Sequence, residues 1–261
     1  MTRRVILQGV ENFRDFGDYA TAHGRKLKRG QLYRSASHGR ATEEDLEAIA
    51  ALNIAVVVDL RRKNERDRDP SLRHAGFNGE VIFADGEVID DDPWQAHIRS
   101  SDHSEQSFRA YLIDYYRVAP FDPRHIDIFS RYFQALVTAT GPVLIHCAAG
   151  KDRTGVLAAL THYIAGVGMA DILEDFLLTN EAVRRDLRAP VLAEMIEELS
   201  GRKPELAAVH MMMGVEPIYL QTAFDEINLR CGSVDSYLCD VLGINIKLRE
   251  ALQERLLDDP A

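Results

Sequence analysis

Cysteine is scarce in this chain: three among 261 residues, Cys147, Cys231 and Cys239. An odd, sparse set is not a disulfide framework, and without a Cys-x-x-Cys pair there is no zinc-ribbon pattern. This usage fits a reducing compartment. Long apolar runs are missing too. No stretch reaches the roughly 18–20 residues needed to span a bilayer. The start, Met1-Thr2-Arg3-Arg4-Val5-Ile6-Leu7-Gln8, has basic residues but no long apolar core, so it does not read as a signal peptide. The expectation is a cytoplasmic protein, or one secreted without a recognisable signal. Positive charge is in deficit, with 31 Lys and Arg against 41 Asp and Glu and a net charge of −10. A general nucleic-acid binder would carry a basic surplus, so nucleic acid is not an expected partner. None of the nine histidines stands in a His-Glu-x-x-His spacing, so neither metal nor cofactor is expected. No repeat, low-complexity tract or Pro/Gly/Ser linker divides residues 1–261, which read as one domain.

What is present is an ordinary globular composition, 46% apolar and 28% charged. Residues 1–40 hold nine Lys/Arg and three Asp/Glu, a local +6, and the sharpest acidic stretch runs from Glu80 to Glu105. Residues 4–40 read as short strands and turns. Thr42, followed by Glu43, Glu44 and Asp45, is a helix start. Ile54 to Leu60 is a continuous β-branched run, read as a buried parallel strand. Glu80–Ala84 and Val143–Ile145 are two further strand candidates. Residues 61–70 are highly charged and read as a solvated loop. Residues 104–118 carry helical spacing, and Asp122-Pro123 opens another helix. From Thr154 onward the pattern is helical, with Ser233 and Asn245 as N-caps of the last two helices. Strands alternating with helices, then a helical tail, predict an α/β fold with a mainly parallel central sheet flanked by helices.

The chemistry concentrates in His146-Cys147-Ala148-Ala149-Gly150-Lys151-Asp152-Arg153-Thr154-Gly155. This stretch follows a buried strand and precedes an apolar helix. Ligands of open α/β sheets bind beyond the carboxyl ends of strands, and a helix N-terminus favours an anion. Five residues separate Cys147 from Arg153. Curled into a loop, the amides of Ala148, Ala149, Gly150, Lys151, Asp152, Arg153 and Thr154 can converge on one phosphate. Gly150 permits a positive φ or a close backbone approach. Arg153 can lay its planar fork over the same point. Amides, helix end and guanidinium all favour a thiolate at Cys147, which can attack phosphorus in line to give a cysteinyl-phosphate that water hydrolyses. The Thr154 hydroxyl can donate to the sulfur as it leaves.

His-Cys-x5-Arg-Thr resembles the signature loop of the Cys-dependent protein tyrosine phosphatases. The fuller string is similar to that of the bacterial and mycobacterial atypical group, which includes triple-specificity and phosphoinositide-hydrolysing members. Asn12-Phe13-Arg14-Asp15-Phe16-Gly17, Leu32-Tyr33-Arg34-Ser35, Val58-Asp59-Leu60-Arg61 and Phe176-Leu177-Leu178-Thr179-Asn180 extend the resemblance to the C-terminal helices. It implies Cys147 as nucleophile, Arg153 as phosphate clamp and Asp152 as general acid. Lys151 would favour acidic or multiply phosphorylated substrates, and Asp59 would support catalysis or position a loop. A metal-independent phosphatase acting on phosphorylated protein is the leading expectation. A phosphoinositide phosphatase using the same loop is the alternative. A non-catalytic phosphate-binding module and a sulfurtransferase fit the complete Cys-to-Gly string less well. In the resembled group helices act as a lid, so part of 180–215 is expected to be one, with Pro190, Gly201 and Pro204 as hinges.

Several assignments stay open at this level. Asp85, Asp90, Asp91 and Asp92 could supply a general acid from a separate loop. Asp152 could serve only the positive helix end. Asp59 and Arg61 could form an ion pair between loops. Met211-Met212-Met213 reads as core or lid packing. His146 reads as a hydrogen-bonding brace. If the +6 segment borders the loop, the mouth is locally positive.

Overall fold

The computed structural model describes residues 3–85 and 93–259. Five strands form one sheet: β1 (Arg14–Asp15), β2 (Leu32–Ser35), β3 (Val56–Asp59), β4 (Glu80–Phe83) and β5 (Val143–His146), in the order β1-β2-β5-β3-β4. Only β1 runs antiparallel to its neighbour. Helix α1 (Glu43–Ala50) follows β2, and α2 (Lys63–Arg68) follows β3. Helices α3 (Pro93–Ser100), α4 (Glu105–Val118) and α5 (Pro123–Thr138) lie between β4 and β5. After β5 come α6 (Asp152–Ala165), α7 (Met169–Leu177), α8 (Thr179–Ala182), α9 (Arg185–Ser200), α10 (Leu206–Met213), α11 (Pro217–Cys231), α12 (Val234–Ser236) and α13 (Ile246–Leu256). The fold is thus α/β with a mainly parallel sheet, as the strand–helix alternation predicts.

Local chemistry sets the helix starts. The Thr42 hydroxyl accepts from the Asp45 N–H at 3.2 Å while Asp45 accepts from the Thr42 N–H at 3.2 Å, a reciprocal capping box. Ser104, Asp122, Ser233 and Asn245 each cap the following helix with a side-chain oxygen. Strands β3 and β5 are buried on both faces, hence their apolar runs. Side chains alternate: Val56, Val58, Val143 and Ile145 join the large core with α4 to α7, whereas Val57, Leu144 and Tyr33 join a smaller one under α1. Among the described residues, no helix is long and apolar enough to cross a membrane.

Two regions depart from expectation. Residues 61–70 are not a solvated loop: Lys63–Arg68 is helical and Arg61 is 1% exposed. The acidic stretch contains an unforeseen helix, α3, which buries Ile98. Asp90, Asp91 and Asp92 lie outside the described residues.

Candidate active site

The register lines up the last residues of three parallel strands. Ser35 pairs with His146, and His146 with Asp59. The segments leaving β2, β5 and β3 therefore emerge side by side, with the middle one, 147–151, between the other two. This loop feeds directly into α6, whose residues are buried almost all round.

The loop is fixed from behind through its carbonyls. The Ser37 N–H donates to the Ala148 carbonyl at 3.0 Å. The Asn12 amide donates to the carbonyls of Ala149 and Gly150 at 3.3 and 2.8 Å, and Arg34 donates to Gly150 at 3.0 Å. Gly150 has φ +65°, and a Cβ there would lie 2.4 Å from the Ser35 carbonyl. Glycine is thus required twice, for dihedral and for space. With the carbonyls tied outward, the N–H groups of residues 148–153 meet no acceptor among the described residues. Such a run of unpaired donors at a helix start is an anion nest.

Beneath the loop lies a buried charge cluster. Asp175 accepts from Arg14 at 3.0 Å and from Arg34 at 2.6 Å, all three side chains at most 1% exposed. Arg14 also bonds the Asn12 amide oxygen. Burial opposes the Asp175 charge, but Arg14 and Arg34 hold its carboxyl well below the usual range. These residues belong to three of the four supporting motifs, at 12–17, 32–35 and 176–180, or stand beside them, so those three meet at the loop's back. None of the first forty residues lines the cavity that holds Cys147, so their +6 does not produce a positive mouth. Arg14 and Arg34 are consumed by Asp175, and Arg25 and Lys28 bond carbonyls at the end of α13 and just beyond it.

Cys147 (2% exposed) lies in a cavity of about 390 Å³ with Ala148, Ala149, Lys151, Asp152 and Arg153. Arg153 is gripped by Glu65 of α2 through two contacts, 2.5 and 2.7 Å, and touches the Leu60 carbonyl at 3.3 Å. Burial raises the Glu65 pKa, but the Arg153 guanidinium, the Arg62 N–H and Arg124 pull it down to about 2. Glu65 was invisible in the charged run, because nothing local marks a partner 88 residues away. Asp152, the first residue of α6, accepts from the buried Tyr116 hydroxyl at 2.9 Å, and its other oxygen is 3.7 Å from the Lys151 ammonium. Burial and the Asp152 carboxylate push the Tyr116 phenol well up, so it remains a donor. Lys151 is 6% exposed and donates to the Met212 carbonyl at 2.5 Å. The buried Thr154 and Tyr115 hydroxyls have no hydrogen-bond partner among the described residues, and Tyr115 lines the cavity.

Asp59 does not line this cavity. It holds Arg61 through contacts of 2.9 and 2.7 Å, and Arg61 in turn bonds the Asp69 carbonyl and the Ser71 hydroxyl. The loop-bracing ion pair is therefore what the geometry displays. His146 makes no hydrogen bond through either ring nitrogen among the described residues; its Nε2 stands 3.6 Å from the Asp59 carboxylate, and the ring stacks on His38 at 5.1 Å. Asp85 is exposed and paired with Arg66 at 3.1 Å. The cavity roof comes from 183–213, through Val183, Leu192, Met195, Leu199, Met212 and Met213. Pro190 sits inside α9 rather than at a break, while Gly201 and Pro204 fall in the α9–α10 connection.

A nucleophile-bearing loop after a central parallel strand, closed by a returning arginine at a helix start, defines a Cys-x5-Arg phosphohydrolase. Residues 5–258 match the model of the tyrosine phosphatase family, and the chain belongs to that family of Cys-dependent phosphatases. It is 30% identical over 243 residues to a Cupriavidus necator protein provisionally named a tyrosine-protein phosphatase, covering 91% of this chain and 83% of that one. It is 31% identical over 261 residues to the triple specificity protein phosphatase PtpB of Mycobacterium tuberculosis, covering 90% and 92%. The crystal structure of Pseudomonas aeruginosa TpbA matches at 16% identity and a TM-score of 0.32, covering 75% of this chain and 96% of that one, a likeness too loose to add to the assignment.

Proposed function

We propose that this phosphatase cleaves phosphotyrosine and a broader range of phosphomonoesters through a cysteinyl-phosphate on Cys147. The observation that carries the reading is the convergence on one cavity of Cys147, the unpaired N–H groups of 148–153 and an Arg153 already aimed by Glu65. In the first step the Cys147 thiolate attacks phosphorus. The P–O bond to the leaving group breaks, and that oxygen takes a proton from Asp152. In the second step water attacks the phosphorus, gives its proton to Asp152, and the sulfur leaves as thiolate with Thr154 as donor. The amides and Arg153 stabilise charge on the equatorial oxygens throughout. Tyr116 orients Asp152, Tyr115 offers an unused donor, and Asp59 acts at a distance by positioning Arg61.

Breadth of specificity is supported by the PtpB relative, named for triple specificity. Arg68 at the cavity edge is exposed and has no ion-pair partner among the described residues, so a second phosphate or an acidic flank would find a cation there. Lys151 lines the cavity while one of its three N–H donors holds the Met212 carbonyl, which makes it a tie between loop and roof with donors left for substrate. The 180–215 segment is accordingly read as a lid within one phosphatase domain. A panel of phosphotyrosine, phosphoserine and phosphothreonine peptides, phosphoinositides and small aryl phosphates, compared by kcat/KM, tests the reading. Comparable values on phosphotyrosine peptide and on at least one other class are expected. Activity on phosphoinositides alone would favour the lipid alternative, and activity on none would overturn both.

A further inference from the structure

The two faces of the sheet are covered unequally. Most helices pack on the face carrying Val56, Val58, Val143 and Ile145. The other face has α1 and the 71–79 segment, and between them lies a cavity of about 530 Å³ that shares no residue with the catalytic one. Its volume is in the range of small-molecule pockets. One wall is apolar, from Ile49, Val57, Phe77 and Leu144, with Asn53 and Asn78 at the polar side. No Asp or Glu lines it, and Arg73 is the only Lys or Arg.

Arg73 is half-buried and makes no hydrogen bond or ion pair with any described residue; its guanidinium lies 5.8 Å from the Phe77 ring centre. Its charged neighbours, Asp59 and Arg61, already satisfy each other. His38, also in the wall, is kept neutral by burial and by the neighbouring His146, and it bonds the Ser35 hydroxyl at 2.9 Å. Arg73 is therefore the one permanently charged group there to meet an anion, with the His74 ring and the Asn53 and Asn78 amides as polar company. One planar fork suits one carboxylate, whereas a phosphate dianion calls for more positive charge than this wall carries.

We propose that this cavity is a second ligand site, which takes a monocarboxylate with a medium-length apolar body, its head on Arg73 and its tail against Ile49, Val57 and Phe77. The test is calorimetric titration of the full chain with octanoate, octan-1-ol and acetate, with and without saturating vanadate. Octanoate should bind equally in both conditions, and more tightly than either control. Arg73→Gln should weaken octanoate roughly tenfold or more, with octanol and vanadate unchanged. Ala50→Trp, which fills the cavity from the end of α1, should abolish octanoate binding with vanadate retained, and this variant decides the matter if Arg73→Gln no longer binds vanadate. Competition between octanoate and vanadate, an unchanged Arg73→Gln affinity, or no octanoate binding would each overturn the proposal.

Discussion

Glu65→Gln takes the charge from the group that aims Arg153. The two side chains meet through contacts of 2.5 and 2.7 Å at 15% and 14% exposure, so solvent screens the pair little. The carboxyl is held at about 2 against an ordinary 4.5. That difference corresponds to about 3 kcal/mol at neutral pH. Because Arg62 and Arg124 share it, about 2 kcal/mol belongs to Arg153. For a chain of this size the variant should melt about 4–8 °C lower at pH 7. Loss of the fixed fork should lower kcat/KM roughly tenfold or more. The folded pKa lies below the unfolded one, so this stabilisation is complete above about 4.5 and fades as pH falls toward about 2. The melting difference between wild type and variant should therefore narrow over that window. Scanning calorimetry from pH 7 to 3 and steady-state kinetics on an aryl phosphate make the check. An unchanged melting temperature and unchanged kcat/KM at pH 7 would refute the claim that Glu65 organises Arg153.

Asp152→Asn should lower turnover and flatten the alkaline limb of the pH–rate profile, most of all for poor leaving groups; a near wild-type profile would move the acid elsewhere. Gly150→Ala, with its Cβ forced to 2.4 Å from the Ser35 carbonyl at φ +65°, should cost more than about 2 kcal/mol and abolish vanadate binding, read by denaturant unfolding and titration. Acid should destabilise the fold before the carboxylates titrate. Burial lowers the His146 pKa to about 4 and that of His38 well below 6.5. Their stabilisation is present above about 6.5 and lost as pH falls through about 4, worth about 3 kcal/mol for His146. Equal melting temperatures at pH 7 and pH 5 would contradict this.

The sequence made some of this plain and hid the rest for identifiable reasons. Strands β3 and β5 are legible because burial on both faces writes an unbroken apolar run, and the helix starts because capping is local chemistry. Cys147 and Arg153 are legible because loop and helix start are contiguous. Glu65 is hidden in Lys63–Arg68: a charged run normally signals solvent, and only tertiary packing turns one of its carboxylates toward a distant guanidinium. Asp175 is hidden likewise, since its partners Arg14 and Arg34 come from the opposite end of the chain. The same long-range pairing takes up Arg14 and Arg34 of the basic N-terminal segment, no residue of which lines the cavity. Tyr116 reads as one more apolar position of α4, and only its hydroxyl, 2.9 Å from Asp152, gives it a second task.

The central claim is a covalent phosphoryl group on Cys147. Rapid acid quenching of the enzyme during turnover of an aryl phosphate, followed by peptide mass analysis, tests it directly. The peptide holding Cys147 should gain the mass of one phosphoryl group, Asp152→Asn should change how much accumulates, and Cys147→Ser should neither turn over nor carry the label while still binding vanadate. Full turnover by Cys147→Ser, or label on another residue, would contradict it.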